Sequence, residues 1–314
     1  MRVLVAGSGV AGGLIGARLV EKNECEVTFV TRQSRKAQLM TRGLQLQSQF
    51  GQFRRPVHAI TVEDIGNAFD AVVIAVRAQE LDNLLEMVLP AVGPQAVLMP
   101  VVEGVQHLES GALSSRPRVV PAVLEARALL DADQILTQRP PSAELTIGAV
   151  HDEDRPMALE LVQLFRGRGL KTIHSERIRA MAYERYAFMA AGIAASYMLG
   201  RPLRDLVRFA YGPGTFEALL REAFDVGVAA GFAPDKLKVM AYDRAFLLEG
   251  RPVQAPPRIC DDGRAGDEAV YLLSEMVARA RRARVNASRF EQAWRRLTKP
   301  TEIELPAADV ARSV

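Results

Sequence analysis

Apolar positions in the first half of the chain come in short, nearly unbroken β-branched runs separated by stretches of helical spacing. MRVLVAG (1–7) and CEVTFVT (25–31) are predicted strands, with VAGGLIGARLVEKN (10–23) as the helix between them. Further runs follow at AVVIAV (71–76), AVLMPVV (96–102), RVVPAVL (118–124) and LTIGAV (145–150). Continuous apolar strands of this kind predict a parallel sheet covered on both faces. ALELVQLFRGRGL (158–170) has helical periodicity with Gly169 as its expected stop, and KTIHS (171–175) reads as a last strand. The polar, proline-bearing segment 133–142 is expected to be a surface loop.

Beyond about residue 175 the period changes. SERIRAMAYERYAFMAAGIAASYMLG predicts one long helix ending at Gly200, and GTFEALLREAFDVGVAAG (214–231) a second, again closed by glycine. AGDEAVYLLSEMVARARRARV and SRFEQAWRRLT predict two more. The expected architecture is an α/β nucleotide domain over 1–174, followed by an all-helical domain over 175–314.

Composition narrows the class. Of 314 residues, 49% are hydrophobic and 25% charged, the mix of a globular chain with a core that needs no staple. The formal charge is +3, and both signs are interspersed. The one basic run, RARRAR at 279–284, lies in a helical pattern and reads as a solvated face, so nucleic acid is not an expected partner. Cys25 and Cys260 form neither a metal spacing nor a disulfide framework, which together with the absence of a leader pattern predicts a reducing, cytoplasmic setting. His58, His151 and His174 are isolated, so no metal site is expected. The apolar stretch 187–199 is shorter than the ~18 residues a bilayer span needs. It predicts a buried helix, packing within its own domain or against a second copy in a homodimer.

Gly7, Gly9 and Gly12 make a GxGxxG loop, with Ser8, Val10 and Ala11 between them. The first glycine permits the tight turn, the second lets backbone approach a pyrophosphate, and the third lets helix and strand pack closely. The helix amino terminus supplies N–H donors to the phosphates. GxGxxG alone is weak, but here it follows one strand, opens a helix and precedes another strand, which predicts a Rossmann-type dinucleotide site. The residues after the second strand bear on the cofactor. An NAD site usually places Asp or Glu there, whereas this chain has Thr31-Arg32-Gln33-Ser34-Arg35-Lys36. A guanidinium can grip a 2′-phosphate with paired donors, so NADP(H) is the expected cofactor, with Arg32 carrying the inference. Arg35 and Lys36 read equally well as solvated residues opening a helix.

These landmarks, together with R-G-L (42–44), A-V-R-A-Q (75–79), E-G-V-Q-H-L-E (103–109), a long helix beginning R-I-R-A and a late helix with a prominent glutamate, resemble ketopantoate reductases (2-dehydropantoate 2-reductases). The resemblance covers most of the chain and is strongest in the first 110 residues. It implies NADPH-dependent reduction of a keto acid in a cleft between a Rossmann and a helical domain, a step of pantothenate biosynthesis. It also implies site roles. The family's V-K-A motif falls on Val76-Arg77-Ala78, and its N-G after the fifth strand falls on Glu103-Gly104. The catalytic lysine falls on Arg185, the asparagines that follow it fall on Met189 and Ile193, and the late glutamate falls on Glu268. The serine that receives the substrate carboxylate has no counterpart near Pro256.

The departures matter chemically. Hydride transfer to a carbonyl builds negative charge on oxygen, which a general acid must neutralise. Arginine stays protonated and can stabilise an alkoxide, but it is a poor proton donor. Proton-donor candidates are therefore Glu103, His107, Tyr183, Tyr186 or water, although a structural histidine and packed tyrosines are the plainer readings of the last three side chains. Arg77 and Arg185 would hold an anionic, carboxylate-bearing small molecule, and Glu268 would orient a substrate hydroxyl or amine. The expectation is an NADPH-dependent reductase of a 2-oxo acid. Alternatives are a reductase of an imine, favoured by the two glutamates, and a non-catalytic NADP-binding protein.

Overall fold

The computed structural model describes residues 1–66, 69–90, 92–109, 113, 116, 118–200, 206, 211–239 and 264–298. Pro256 and Cys260 fall outside them. The N-terminal sheet contains β1 (Arg2–Ala6), β2 (Glu26–Val30), β5 (His58–Ile60), β6 (Ala71–Ile74) and β7 (Val97–Pro100). Its spatial order is β5-β2-β1-β6-β7 and every pairing is parallel. Strand alternation divides its side chains between two cores. Val3 and Val5 join Leu14, Ile15 and Phe29 on the face covered by α1 (Val10–Lys22), while Leu4 joins Val72, Ile74 and Leu81 on the face covered by α3 (Leu81–Val88). Both faces are dry, as the unbroken apolar runs require.

The chain leaves β1 toward β2 and β5, then returns to pair β6 on β1's other side. This reversal is the topological switch point, and an open α/β sheet binds ligands at the carboxyl ends of its strands there.

A second five-stranded sheet corrects the single-sheet expectation. It is built from β3 (Leu44–Ser48), β4 (Gly51–Arg55), β8 (Ala122–Leu130), β9 (Leu136–Ile147) and β10 (Leu170–His174), in mixed orientation. The run 145–150 belongs largely here, while the run 118–124 is divided: Arg118–Val120 bond to Leu98 of β7 in the dinucleotide sheet, in parallel as expected, and Ala122–Leu124 open β8. Segment 133–142 is mostly strand, not loop: Leu136, Thr137 and Gln138 pair with β3 and with β8. Pro140 and Pro141 sit where the β8–β9 register jumps between Glu125 and Arg127, an irregularity that tolerates a residue without an N–H. The helix α2 (Gln33–Arg42) connects β2 to β3, and α4 (Arg155–Phe165) connects β9 to β10. The latter ends at Phe165, with Arg166 as its cap, four residues before Gly169.

Beyond His174 all regular structure among the described residues is helical. The long helix α5 (Ile178–Leu199) is capped by Gly200 in the left-handed conformation, as expected. It is packed against α6 (Gly212–Ala229), α7 (Arg264–Ala283), α8 (Ser288–Thr298) and β8. The apolar stretch 187–199 thus packs within its own helical layer. No helix of the described residues is long and apolar enough to cross a membrane.

The seating of α1 on the sheet depends on Gly16, where a Cβ would stand 2.3 Å from Cζ of the fully buried Phe29. Gly16→Ala is expected to lower stability by about 1–3 kcal/mol through overpacking. A urea unfolding midpoint indistinguishable from that of the parent chain would mean that Phe29 yields at no cost.

Candidate functional site

Each predicted site residue lies at the carboxyl edge of the first sheet or faces it from the helices. Gly7 follows β1 with φ +106, and a Cβ there would lie 2.2 Å from the Ala75 carbonyl oxygen. A Cβ on Gly12 would lie 2.0 Å from the Gly7 carbonyl oxygen. These two glycines let α1, β1 and the end of β6 touch through backbone. Gly9, the N-cap of α1, has nothing within 4 Å of its would-be Cβ. The open side of the loop is therefore the second glycine, the position at which backbone must approach a pyrophosphate. No side chain caps the first turn, which leaves the Val10 and Ala11 end of the helix facing that opening. Ser8 and Thr31 join the loop to β2 through a 2.8 Å hydroxyl–hydroxyl hydrogen bond. The loop fits a dinucleotide.

Arg32 caps α2 at the end of β2, with its side chain 78% exposed. Its guanidinium donates to Glu80 at 2.7 Å. Sequence reasoning missed Glu80. The signal was its place three residues after Arg77, since a 3-10 turn over Ala78–Glu80 brings it round to Arg32. Lys36 pairs with Asp64 at 3.0 Å and Arg35 donates to Gln38 at 2.7 Å, so both have local partners.

Arg77 follows β6 and opens that same turn. Glu103 follows β7, ahead of Gly104 at φ +94. Arg185, in the middle of α5, reaches across to Glu103: its Nε donates at 3.0 and 3.1 Å to the two carboxylate oxygens, and its Nη2 also donates to Oε1. Two predicted residues 82 positions apart thus form one side-on ion pair. Glu268, in the first turns of α7, completes the group. Burial pushes its carboxyl up to about 7, the Glu103 charge adds to this, Arg77 opposes it, and Glu80 contributes a further push. Arg77, Glu103 and Glu80 therefore all act on one carboxyl.

The other proton-donor candidates fall elsewhere. His107 is fully buried, and desolvation pushes its pKa down to about 4, so it is neutral near pH 7. Tyr183 and Tyr186 are 0% exposed, donate to the carbonyls of Ala223 (2.6 Å) and Leu272 (2.8 Å), and are pushed upward by burial. They are core residues, as are Met189 and Ile193. A second cross-brace was also not foreseen. Arg279 of α7, itself buried, donates to both carboxylate oxygens of Glu109 at 2.9 and 2.8 Å, and Arg179 donates to the Leu108 carbonyl. Among the described residues no cluster of metal ligands occurs.

The open position at Gly9 can be tested apart from folding. Gly9→Ala is expected to leave the thermal midpoint unchanged, because its Cβ meets no protein atom, while weakening nicotinamide dinucleotide binding by about tenfold or more through steric exclusion of backbone approach. Undiminished affinity in a titration of the intact variant would remove the pyrophosphate from this loop.

Comparison with known proteins agrees with this fold. The family model described as ketopantoate reductase PanE/ApbA matches residues 3–152. The uncharacterized oxidoreductase YkpB of Bacillus subtilis (strain 168) is 30% identical over 223 residues, spanning 71% of this chain and 73% of that protein. Two solved structures share the fold over 95% of this chain and 97% of their own. One is a ternary complex of D-mandelate dehydrogenase with NADH and anilino(oxo)acetate (TM-score 0.83, 14% identity). The other is a PanE/ApbA family ketopantoate reductase from Ralstonia eutropha JMP134 (TM-score 0.81, 20% identity). With its Rossmann sheet, its helical C-terminal region and a relative that shares three residues in ten, this chain belongs to the ketopantoate reductase family of oxidoreductases.

Proposed function

We propose that the protein is an NADPH-dependent reductase of a 2-oxo acid, with 2-dehydropantoate as the leading named candidate. The supporting observation is the convergence, at the carboxyl ends of β6 and β7, of two guanidiniums and one carboxyl whose pKa is raised to about 7. The substrates named for the structural neighbours point to the same class, since mandelate and 2-dehydropantoate are both carboxylates with an oxygen on the adjacent carbon.

When bound, the nicotinamide supplies the hydride. Gly7, Gly9, Gly12 and the first turn of α1 hold the pyrophosphate, and Arg32 meets the 2′-phosphate. Arg77 and Arg185 hold the substrate carboxylate and the oxygen on which charge develops. Neither can surrender a proton at accessible pH. Glu268 can, because a carboxyl with a pKa near 7 is protonated in about half the molecules at neutrality, the poise general acid catalysis favours. Its role thus shifts from orienting the substrate to protonating the reduced oxygen. A carbonyl gains hydride at carbon and a proton at oxygen, leaving Glu268 as a carboxylate to be reprotonated from solvent.

The pH dependence follows with a definite sign. Reduction needs protonated Glu268, so its kcat/KM should fall as pH rises through about 7, while oxidation of the hydroxy acid should rise over the same range. Glu268→Gln should lower reduction by about 10²–10⁴-fold and abolish that limb. A retained limb would assign the proton to another group. A screen of 2-oxo acids and cyclic imines, followed by nicotinamide absorbance, separates the classes. Turnover of imines alone would favour the imine reading, and cofactor binding without any turnover the non-catalytic one.

Cofactor preference gives an independent check. Arg32→Ala should weaken NADPH by about 10–100-fold, the worth of charge-assisted hydrogen bonds to phosphate, and spare NADH. Glu80→Gln should strengthen NADPH by removing the carboxylate that competes for Arg32. Equal losses for both cofactors in Arg32→Ala would refute the NADP assignment.

A further inference from the structure

Gln106 opens the short turn Gln106–Leu108 that follows β7, and its backbone is held in place. Val105 before it and Leu108 after it belong to the helical core, and the Gln106 carbonyl accepts from the Glu109 amide. Its side chain folds back onto Gly104, where Oε1 fills the space that a Cβ would take. The residue is half-buried, yet among the described residues both polar atoms of its amide, Oε1 and Nε2, are cut off from water and have no hydrogen-bond partner. Because both ends are unpaired, exchanging the amide oxygen and nitrogen leaves the situation the same. The turn after the adjacent strand β6 carries another such atom, Oε1 of Gln79.

A buried amide with neither donor nor acceptor satisfied is unfavourable in the free protein, and native structures leave few of them without a reason. Place and chemistry indicate the ligand group that would relieve it. The glycine loop follows β1, Arg32 follows β2 on one side of it, and Gln106 follows β7 beyond β6 on the other. A dinucleotide crosses such an edge with its pyrophosphate at the loop, so a ribose phosphate at Arg32 sends the nicotinamide toward β6 and β7. Resting on the nicotinamide dinucleotide reading above, we propose that Gln106 recognises the carboxamide of the nicotinamide and thereby orients the ring. Oε1 accepts from the carboxamide nitrogen, and Nε2 donates to the carboxamide oxygen. Carboxylate and phosphate oxygens only accept, so either would leave Oε1 facing negative charge. A carboxamide presents one carbonyl and two N–H hydrogens, which leaves a hydrogen for an acceptor such as Gln79 Oε1. To meet it, the Gln106 side chain swings off Gly104 by rotation about its single bonds, while its backbone stays where it is.

The test is calorimetric titration of the intact protein with NADP, or with NAD should that bind more tightly, and with the matching 3-acetylpyridine analogue, in which a methyl replaces the amide nitrogen. The corresponding ADP-ribose compound, which lacks the ring, is the reference. The parent is expected to bind the nicotinamide form about tenfold more tightly than the analogue, the worth of a hydrogen bond to a buried group. In Gln106→Met, of similar length and without the polar end, that preference should disappear, while the ADP-ribose compound binds both proteins equally. Ligand-free Gln106→Met should also melt about 2–4 °C higher, because an unpaired buried amide has been removed. A preference retained in the variant would overturn the proposal, and so would a parallel loss of the ADP-ribose compound, which places the effect elsewhere in the cofactor. No rise in melting would mean that the amide is satisfied in the free protein, and would remove the ground of the proposal. If Gln106→Met does not fold, Gln106→Leu carries the same comparison, and equal affinity of the parent for both dinucleotides refutes the idea by itself. Parent protein that binds neither dinucleotide would overturn the nicotinamide reading and this proposal together. Binding of both without preference would overturn this proposal alone.

Discussion

Helix α5 is buried around nearly its whole circumference, and the organisation of the molecule follows from what that burial demands. A polar group in such a helix must find a partner on another element, because an unpaired one is expensive in a medium from which water is excluded. The partners are supplied from several directions. Glu184, 2% exposed, accepts from Arg177 and from the Asp235 amide. Tyr183 and Tyr186 donate to carbonyls of α6 and α7. Arg179 and Arg185 reach the segment just past β7. The last two are the contacts by which the helical region is anchored to the ligand edge of the Rossmann sheet, and the Glu109–Arg279 pair adds α7 to the same segment. One short stretch, 103–109, thus receives guanidiniums from two helices, while α7, which carries Glu268, also packs on the turn Ala78–Glu80.

The same economy of charge organises the ligand edge. Two arginines that face the expected ligands, Arg32 and Arg185, are each held by a glutamate from a turn at a strand's carboxyl end, Glu80 and Glu103. The pairs differ in exposure and hence in consequence. Arg32 and Glu80 are in water, where such a pair contributes little to stability. Arg185 is not, so its partner bears on stability. Glu268 differs from both: burial and its acidic neighbours favour its neutral form, the form the proposed proton transfer requires.

Local features were legible in the sequence and long-range ones were not. The glycine loop, β1, α1 and β2 are consecutive, and each is specified by residues within a few positions of it. The long apolar helix and its glycine cap could be read for the same reason. The strands β3 and β4 (LQLQS and GQFRR) carry too many polar residues to look like strands in isolation, and their pairing is decided partly by β9, some ninety residues away. Pro140 and Pro141 concealed β9, because proline ordinarily marks a break, and only the register jump opposite Glu125 and Arg127 accommodates them. At the site, Arg185, Glu103 and Glu268 could each be singled out by resemblance. That Glu103 neutralises Arg185, and that burial raises Glu268, are properties of the assembled cleft. His107 shows the converse: its position past β7 pointed toward the ligand edge, yet the fold buries it where it remains neutral.

The two departures that the family resemblance implies, at positions 185 and 103, can then be understood as one change. A lysine at position 185 could respond to burial by giving up its proton, which is what allows a lysine to serve as a general acid and to remain unpaired when no ligand is present. An arginine has no such escape, since its guanidinium stays charged. Placed at a site 8% exposed, it requires a permanent counter-charge, and a neutral amide at position 103 would not provide one. Glutamate does. Glu103 and Arg185 thus form a matched pair, and under the proposed mechanism the proton comes from a different carboxyl. Glu268 suits that proposed role through its surroundings: desolvation, with the Glu103 charge beside it, favours its protonated form at a pH where an exposed glutamate would be ionised. Such a pattern is what exchanging a titratable cation for a fixed one beside a half-buried carboxylate requires electrostatically.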